Sequence, residues 1–309
     1  MAAKAQRRAQ HIVFDTMGTT VHATLCDILP VQAMAYQQSL EKVFARWNSI
    51  FSRFRDDSEL MKVNRTAGHW REVSALFFDV IMYCLRMARQ TEGVFDPSVG
   101  AYLAAAGYGL PKNYTLPHPV PTFRDLAIDT QKRRICLAPG QILEPAAVVK
   151  GMAMDAAATV LAAVPSWMLN VGGDTVTHGS YDGNAWIVGI QDPQETQAIV
   201  AAVAIRDQAL ATSGDYAVRW HSDGRTWHHQ ITLPQGRPTD ELRSVSVVAP
   251  TATLADEYTS IAFLLGLRRG VQYLEAKNVP YLLIDRKRRM HRNALFDAQT
   301  VPLNQVFDF

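Results

Sequence analysis

Short runs in which apolar and polar residues alternate make up much of the chain, and this period of two predicts β-strands with one buried face. The run His11–Leu25 alternates on both sides of Met-Gly-Thr-Thr and predicts a hairpin that turns near Gly18. Later runs predict further strands and a closing hairpin. They are DLAIDTQKRRICLAPGQIL, which contains two short strands, then SWMLNVGG, AWIVGIQDP, IVAAVAIRDQALATSG, TWHHQITLP, LRSVSVVAP and the hairpin PYLLIDRKRRMHRN.

Other segments place their apolar residues at helical spacing. The predicted helices are Pro30–Phe51, a short helix capped by Ser58, Ser74–Thr91, Gly151–Val164, a helix that contains Asp256, and Gly270–Lys277. The strands come in runs between these helices, without regular β-α-β alternation. The predicted fold class is therefore α+β, with mixed or antiparallel sheets flanked by helices.

The composition is that of an ordinary globular protein. Of 309 residues, 48% are hydrophobic and 19% charged, and the formal net charge is +2. A charge this small does not call for a nucleic-acid partner or an anionic membrane surface. We expect residues 1–10 to form a flexible tail and residues 11–309 a single domain, with a division into two lobes around the ligand site left open. The one linker-like stretch is Gly107–Pro121.

The cysteines and the N-terminus bear on the compartment. Cys26, Cys84 and Cys136 are widely spaced and form no Cys-x-x-Cys pair. Neither a disulfide framework nor a structural zinc site is therefore expected, and a reducing compartment fits. The N-terminus has no apolar core of signal-peptide length, and no run approaches the roughly 18 apolar residues of a membrane helix. We expect a cytoplasmic protein without membrane insertion.

The stretch Ile142–Asp155, ILEPAAVVKGMAMD, runs from a loop into a predicted helix with Lys150 at its mouth. Free amides at a helix start attract anions, and a nearby ammonium strengthens that attraction. The stretch is a candidate phosphate cradle. A capped helix with a surface lysine is the simpler alternative, and the glycine spacing of a Walker loop is absent.

Two polar turns follow apolar strands. Leu169–Gly179 contains paired glycines, which allow a ligand or another backbone to approach closely, and Asp174, which is able to bind a polar group. Ala211–Trp220 contains Ser213 beside a glycine and an aspartate. Each turn is either a ligand-binding turn or only a turn.

The stretch Trp227–Pro238, WHHQITLPQGRP, contains adjacent histidines. In an extended strand His228 and His229 face opposite sides, so at most one points into any given site. An imidazole there is able to act as a general base at neutral pH. A structural histidine is the alternative.

The stretch Thr253–Gly266, TLADEYTSIAFLLG, places Asp256 four residues before Ser260, on one helical face. Carboxylate, hydroxyl and carbonyl oxygens suit Mg²⁺, which completes its coordination with phosphate and water. We expect Glu257 and Thr259 to project away from that face. The alternative is that Asp256 caps the helix and Ser260 bonds back to a carbonyl.

Taken in order, these stretches resemble one family, the FAD:protein FMN transferases, or ApbE family. The resemblance covers most of the chain and rests on eight stretches in the family's order. They are MGTT, DSELMKVN, FDPSVG, VVKGMAMD, NVGGD, ATSGDY, HQITLPQGRP and APTATLADEYTS. No one of them is decisive, whereas eight in order are specific. The resemblance implies the T-fold-related architecture of that family.

The resemblance also implies an activity and a set of site residues. Family members bind FAD with Mg²⁺ on its diphosphate, transfer FMN to a Ser or Thr hydroxyl of an acceptor flavoprotein, and release AMP. By this resemblance the metal lies between Asp256, Ser260 and the backbone carbonyl of Ala147, and His229 and Asp256 are the catalytic residues, with His229 as the base. The implied FAD contacts are Met17, Phe54, Val94, Phe95, Asp96, Glu144, Lys150 and Ser213.

The chain departs from the family pattern at several of these positions. Thr232 and Leu233 replace the aspartate and proline that follow the family's histidine, and Val176 replaces an arginine often found after Gly-Gly-Asp. Ala146 and Ala147 replace a glycine pair, and their methyl groups narrow the approach of backbone to phosphate.

These departures leave three functions open. The first is Mg²⁺-dependent FMN transfer to a protein, the second is hydrolysis of FAD to FMN and AMP at the same site, and the third is binding of intact FAD without catalysis. The presence of Asp256, Ser260 and His229 favours an enzyme, whereas Thr232 and Ala146 favour the binding protein.

Overall fold

The computed structural model describes residues 9–108, 114–195, 197–216, 218–222, 224–233 and 236–305. Most of the predicted tail and residues 109–113 of the linker-like stretch lie outside these ranges. The first strand begins at Ala9, two residues before the predicted start of the domain. It does so because Ala9 and Gln10 continue the hairpin ladder opposite Cys26 and Leu25.

The strands of the described residues are short and numerous. In chain order they are β1 (Ala9–Thr16), β2 (Thr19–Cys26), β3 (Arg71–Glu72), β4 (Ala127–Asp129), β5 (Arg134–Cys136), β6 (Ser166–Val171), β7 (Asp174–His178), β8 (Trp186–Gln191), β9 (Ile199–Ile205), β10 (Ala209–Gly214), β11 (Arg219–Ser222), β12 (Arg225–His228), β13 (Ile231–Thr232), β14 (Arg237–Pro238), β15 (Leu242–Ala249), β16 (Tyr281–Asp285), β17 (Met290–Arg292) and β18 (Thr300–Val301).

Every predicted helix is present, and the structure adds two short helices, Gly100–Ala105 and Ala294–Asp297, that the sequence analysis does not predict. The helices are α1 (Pro30–Phe51), α2 (Glu59–Asn64), α3 (Ala75–Gln90), α4 (Gly100–Ala105), α5 (Ala146–Val160), α6 (Ala252–Lys277) and α7 (Ala294–Asp297). Helix α5 begins before Lys150 rather than after it. Helix α6 covers the two helices predicted near Asp256 and Gly270. They meet at a kink at Gly266, where Glu241 accepts a hydrogen bond from the Leu267 amide at 2.8 Å.

Eight strands form the central sheet, in the order β1-β2-β6-β7-β10-β15-β16-β17, and every ladder in it is antiparallel. The predicted α+β class is confirmed. The inner strands of the sheet are buried on both faces, as β15 shows, whereas the edge strand β1 exposes one face. Val247 of β15 packs with α6, whereas Val248 packs with β8 and β9 on the opposite face. Helices α1, α3 and α5 enclose the largest apolar cluster.

The contact between α5 and the start of α6 fixes the position of both helices. Asp155 of α5 accepts hydrogen bonds from the amides of Ala252 and Thr253, each at 2.9 Å. Amides at a helix start have no intrahelical partner, so Asp155 supplies one. Its negative charge also interacts favourably with the positive end of the helix dipole. A Cβ on Gly151 would lie 2.6 Å from the Ala252 carbonyl, so only glycine allows the helices this close.

No helix of the described ranges combines the length and the apolar character that crossing a bilayer requires. The three cysteines are free thiols, as expected from their spacing; Cys26 and Cys84 are buried and Cys136 is partly exposed.

Replacing Asp155 with alanine removes the acceptor for both amides and is expected to lower the free energy of unfolding by about 1–2 kcal/mol. Urea denaturation followed by circular dichroism measures this. Asp79→Ala, at an exposed position on α3, is the control and should be nearly neutral. Equal stabilities of the two variants would show that Asp155 does not cap α6.

Candidate active site

Several sequence-predicted residues meet at one end of the central sheet. The β1–β2 turn at Met17 and the β6–β7 turn at Gly172 lie side by side, because the Gly172 amide donates to the Thr20 carbonyl at 3.2 Å. Gly172 has φ +58°, and a Cβ there would lie 2.4 Å from the hydroxyl of Thr19. Ser213 lies near the end of β10, at the same end of the sheet.

Lys150 links α5 to this end of the sheet. Its ammonium lies 2.7 Å from one oxygen of Asp174, and the other oxygen of Asp174 accepts the Thr212 amide at 3.0 Å. Burial lowers the pKa of Lys150, but the carboxylates of Asp174 and Asp256 outweigh it and keep that pKa above its ordinary value. Lys150 is therefore a fixed positive charge. The predicted cradle of helix-start amides directly after Lys150 is wrong, because α5 begins at Ala146.

Asp256 points from α6 towards α5. Its carboxylate accepts the Gly151 amide at 3.0 Å. In a regular helix this amide donates to the carbonyl of Ala147, so the Asp256 carboxylate and that carbonyl approach the same N–H. Burial raises the pKa of Asp256 to about 7, and Lys150 only partly opposes this shift. Asp256 does not cap the helix, since Thr251 accepts the Leu254 amide and fills that role.

Three hydroxyl groups lie beside Asp256. Ser213 donates to Thr259 at 3.1 Å and lies 3.4 Å from the hydroxyl of Ser260. Thr259 therefore faces the site, contrary to the prediction that it projects away. Glu257 does point elsewhere, with its carboxylate bonded to the hydroxyl of Tyr83.

The adjacent histidines occupy different environments. His228 ends β12 and is buried, with its Nε2 2.8 Å from the Thr239 carbonyl and its ring against Phe263. It is a structural histidine. His229 follows the strand and is partly buried. Its Nε2 lies 3.3 Å from the Gln230 amide nitrogen, and its Nδ1 is buried without a hydrogen-bond partner among the described residues.

Burial lowers the pKa of His229 to about 4, and the positive charges of His228, Lys150 and Arg53 act in the same direction. His229 is therefore neutral at physiological pH and has a ring nitrogen able to accept a proton. The charges of Lys150 on α5 and of Arg53 in the loop after α1 thus both act on this histidine.

In the loop after α1, the buried side chain is Arg53, and its neighbour Phe54 is exposed. Arg53 forms an ion pair with Glu144 at 2.5 Å and lies 4.6 Å over the ring of Tyr108. Phe54 is 65% exposed and meets Tyr108 edge-on. The sequence prediction overlooked Arg53 because it weighed only the aromatic side chain of that pair. Glu144 is buried, which raises its pKa, and is engaged with Arg53.

The predicted contacts Val94, Phe95 and Asp96 lie in the turn after α3. Phe95 is buried in the core. Both oxygens of Asp96 accept backbone amides, those of Ser98 and Phe123. The side chains of Phe95 and Asp96 therefore stabilise this turn. The backbone of the turn and the side chain of Val94 are the groups left to contact a ligand.

The donor set fits a hard divalent cation. In the described ranges no three His, Cys, Asp or Glu side chains converge as a metal site. The expected ligands are instead one carboxylate, one hydroxyl and one carbonyl, from Asp256, Ser260 and Ala147. Burial and the charges of Asp174 and Asp155 raise the pKa of Asp256, and a cation beside the carboxylate would offset both effects.

The fold and the site together define an α+β protein with a buried cluster of charges and hydroxyls at one sheet end and a neutral histidine beside it. Residues 17–283 match the sequence pattern of the ApbE family. The chain belongs to the ApbE family.

Named relatives and solved structures agree with this membership. The FAD:protein FMN transferase of Haemophilus influenzae is 28% identical, over 88% of this chain and 85% of the relative. That of Salmonella typhimurium is 27% identical, over 91% and 85%. The ApbE protein of Thermotoga maritima has a TM-score of 0.85 at 22% identity, covering 96% of this chain and all of the other, which shows a common fold.

Asp256→Asn is expected to stabilise the metal-free protein at pH 8. The folded-state pKa of Asp256 lies above its ordinary value of 3.8, so its charge destabilises the fold increasingly as the pH rises from about 4 to about 7. Asparagine keeps an acceptor for the Gly151 amide without that charge. Differential scanning calorimetry in EDTA should show a higher Tm, by about 2 °C for each kcal/mol gained.

Adding Mg²⁺ should raise the Tm of the wild type and leave that of Asp256→Asn unchanged. Asp79→Asn is the control and should behave as the wild type in both buffers. A lower Tm of Asp256→Asn in EDTA would mean that the carboxylate serves to hold α5 and α6 together.

Proposed function

We propose that this protein transfers FMN from FAD to a Ser or Thr hydroxyl of an acceptor flavoprotein, with Mg²⁺ and with release of AMP. The supporting observation is that Lys150 forms an ion pair with Asp174 beside the buried carboxylate of Asp256, and that the charge of Lys150 also acts on the neutral His229. The relatives named FAD:protein FMN transferase give the reaction class. The reaction belongs in the cytoplasm, where three free thiols persist.

The chemistry is displacement at phosphorus. The acceptor hydroxyl oxygen forms a bond to the phosphorus of the FMN half, and the bond from that phosphorus to the bridging oxygen breaks. The bridging oxygen leaves with AMP and keeps the electron pair. The hydroxyl proton passes to a ring nitrogen of His229, which is neutral and therefore able to accept it.

Charge neutralisation is the main requirement of this reaction, because negative charge develops on the phosphate oxygens. Lys150 supplies a fixed positive charge at the site. The residues that would bind Mg²⁺ are Asp256, Ser260 and the carbonyl of Ala147, and the ion would neutralise diphosphate charge. Met17 and the backbone near Val94 would contact FAD from the surrounding turns.

The departures from the family pattern leave Lys150, Asp256, Ser260 and His229 in place. Thr232 pairs with Arg237 in the β13–β14 hairpin and places no carboxylate near His229. Ala146 is exposed at the first position of α5. Water in place of the acceptor hydroxyl would give FMN and AMP, so hydrolysis is the second candidate, and the retained His229 and Asp256 favour both reactions over simple binding.

One incubation tests these functions together. Purified protein is mixed with FAD, Mg²⁺ and an acceptor flavoprotein domain, and AMP is measured by chromatography and acceptor mass by mass spectrometry. Transfer predicts AMP with a mass gain of one FMN. AMP without the mass gain would indicate hydrolysis. Binding of FAD without AMP would reject both enzymatic proposals.

His229→Ala is expected to reduce transfer by about 10²–10⁴-fold, the usual contribution of a general base, with little change in the Kd for FAD. Stopped-flow rates and flavin fluorescence titration measure the two quantities. His221→Ala, an exposed histidine on the same hairpin, is the matched control. Equal losses of rate and affinity in His229→Ala would identify a binding or structural histidine.

A further inference from the structure

We propose that Arg53 is a positioning residue: anchored on Glu144, it begins a stack through Tyr108 and Trp220 that sets the place of the hairpin leading to His229. The inference rests on the proposed function, in which His229 is the base.

The anchor is a buried ion pair. The side chains of Arg53 and Glu144 are 11% and 6% exposed, and their charged atoms lie 2.5 Å apart. The Glu144 amide donates to the Pro97 carbonyl at 2.6 Å, and its carboxylate also accepts the Ala146 amide at 3.2 Å. Glu144 is therefore tied both to the turn after α3 and to the start of α5, which holds the Arg53 guanidinium in place.

The stack begins at that guanidinium. It lies over the ring of Tyr108, 4.6 Å from the ring centre. The ring of Tyr108 is stacked on that of Trp220, with centres 4.7 Å apart and planes at 16°. Trp220 and Trp227 face each other across the β11–β12 ladder, with nearly parallel rings. Cation–π and aromatic contacts of this kind favour a defined geometry.

The stack ends two residues from His229. Trp227 precedes His228, the last residue of β12, and His229 follows. Trp220 is also fixed by a hydrogen bond of 2.6 Å from its indole N–H to the Ala106 carbonyl, directly after α4. A shift of Tyr108 or Trp220 would therefore move His229 relative to Lys150 on α5.

The base of the hairpin has a separate anchor. Asp215 is fully buried and pairs with Arg219, Arg243 and Arg286 at 2.7, 3.2 and 2.7 Å. Arg219 belongs to β11. Arg243 belongs to β15 of the central sheet, and Arg286 directly follows β16. This cluster keeps the hairpin attached when the stack is lost, so variants of the stack should displace His229 without unfolding the protein.

Arg53 also acts on His229 through its charge, together with Lys150 of α5 and His228 of β12. Substitutions can separate the effect of the stack on the position of His229 from the effect of the Arg53 charge on it. Arg53→Lys keeps the positive charge and loses the planar group that stacks on Tyr108. Trp220→Leu removes the stack and leaves Arg53 in place. Arg53→Gln removes both.

The test compares these three variants with Arg55→Gln, an exposed arginine of the same loop that pairs with Asp57. We expect Arg53→Lys and Trp220→Leu to lower kcat by about 10–100-fold, the effect of a misplaced reacting group, with the Kd for FAD within about threefold of wild type. In Arg53→Gln alone, the acid limb of the pH profile should move to higher pH, because a positive charge near His229 is lost.

Hydrogen exchange gives a readout that does not depend on turnover. Amides of residues 219–222 and 225–228 should exchange at least about tenfold faster in Arg53→Lys and Trp220→Leu than in the wild type, while Arg55→Gln is unchanged. Unchanged exchange and unchanged kcat in both variants would overturn the inference. Faster exchange in both variants, together with a wild type that forms no AMP from FAD, would retain the anchor and reject the proposed function instead.

Discussion

The close contact of α5 with the start of α6 is the constraint on which the site depends. Gly151 allows the approach, Asp155 binds the first amides of α6, and Asp256 binds the Gly151 amide in return. Two helices from distant parts of the chain are thereby fixed within hydrogen-bond distance. Lys150 and Ser260 take their places from the same contact, since each lies one helical turn or less from it.

The electrostatics of the site are unbalanced in a way that suits its proposed chemistry. Lys150 pairs with the carboxylate of Asp174 and also feels the charge of Asp256, and burial leaves Asp256 with a raised pKa. Such an arrangement costs stability in the protein alone and favours a bound cation. A bound metal ion would offset the negative charge of Asp256, and a diphosphate would offset the positive charges of the metal ion and Lys150.

The hairpins after β10 carry the other half of the site. Asp215 with its three arginines attaches them to the sheet, and the stack from Arg53 to Trp227 sets them against the α4 end. His229 directly follows β12 of these hairpins, and burial keeps it neutral. The neutral state of His229 comes from the surrounding packing, because an exposed histidine would be partly protonated at neutral pH.

Periodicity and turn residues in the sequence determined the elements: the β1–β2 hairpin, α1 to its last residue, and the helix that bears Asp256 and Ser260. These depend on local spacing, which a single sequence contains. The tertiary structure alone decided that α5 begins before Lys150, that Thr259 faces Ser213, and that Arg53 rather than Phe54 is buried. The bond of Thr259 and the burial of Arg53 each depend on a partner far along the chain, about which local spacing contains no information. The start of α5 depends on Glu144, whose side chain binds the Ala146 amide and which is itself held by the distant Arg53.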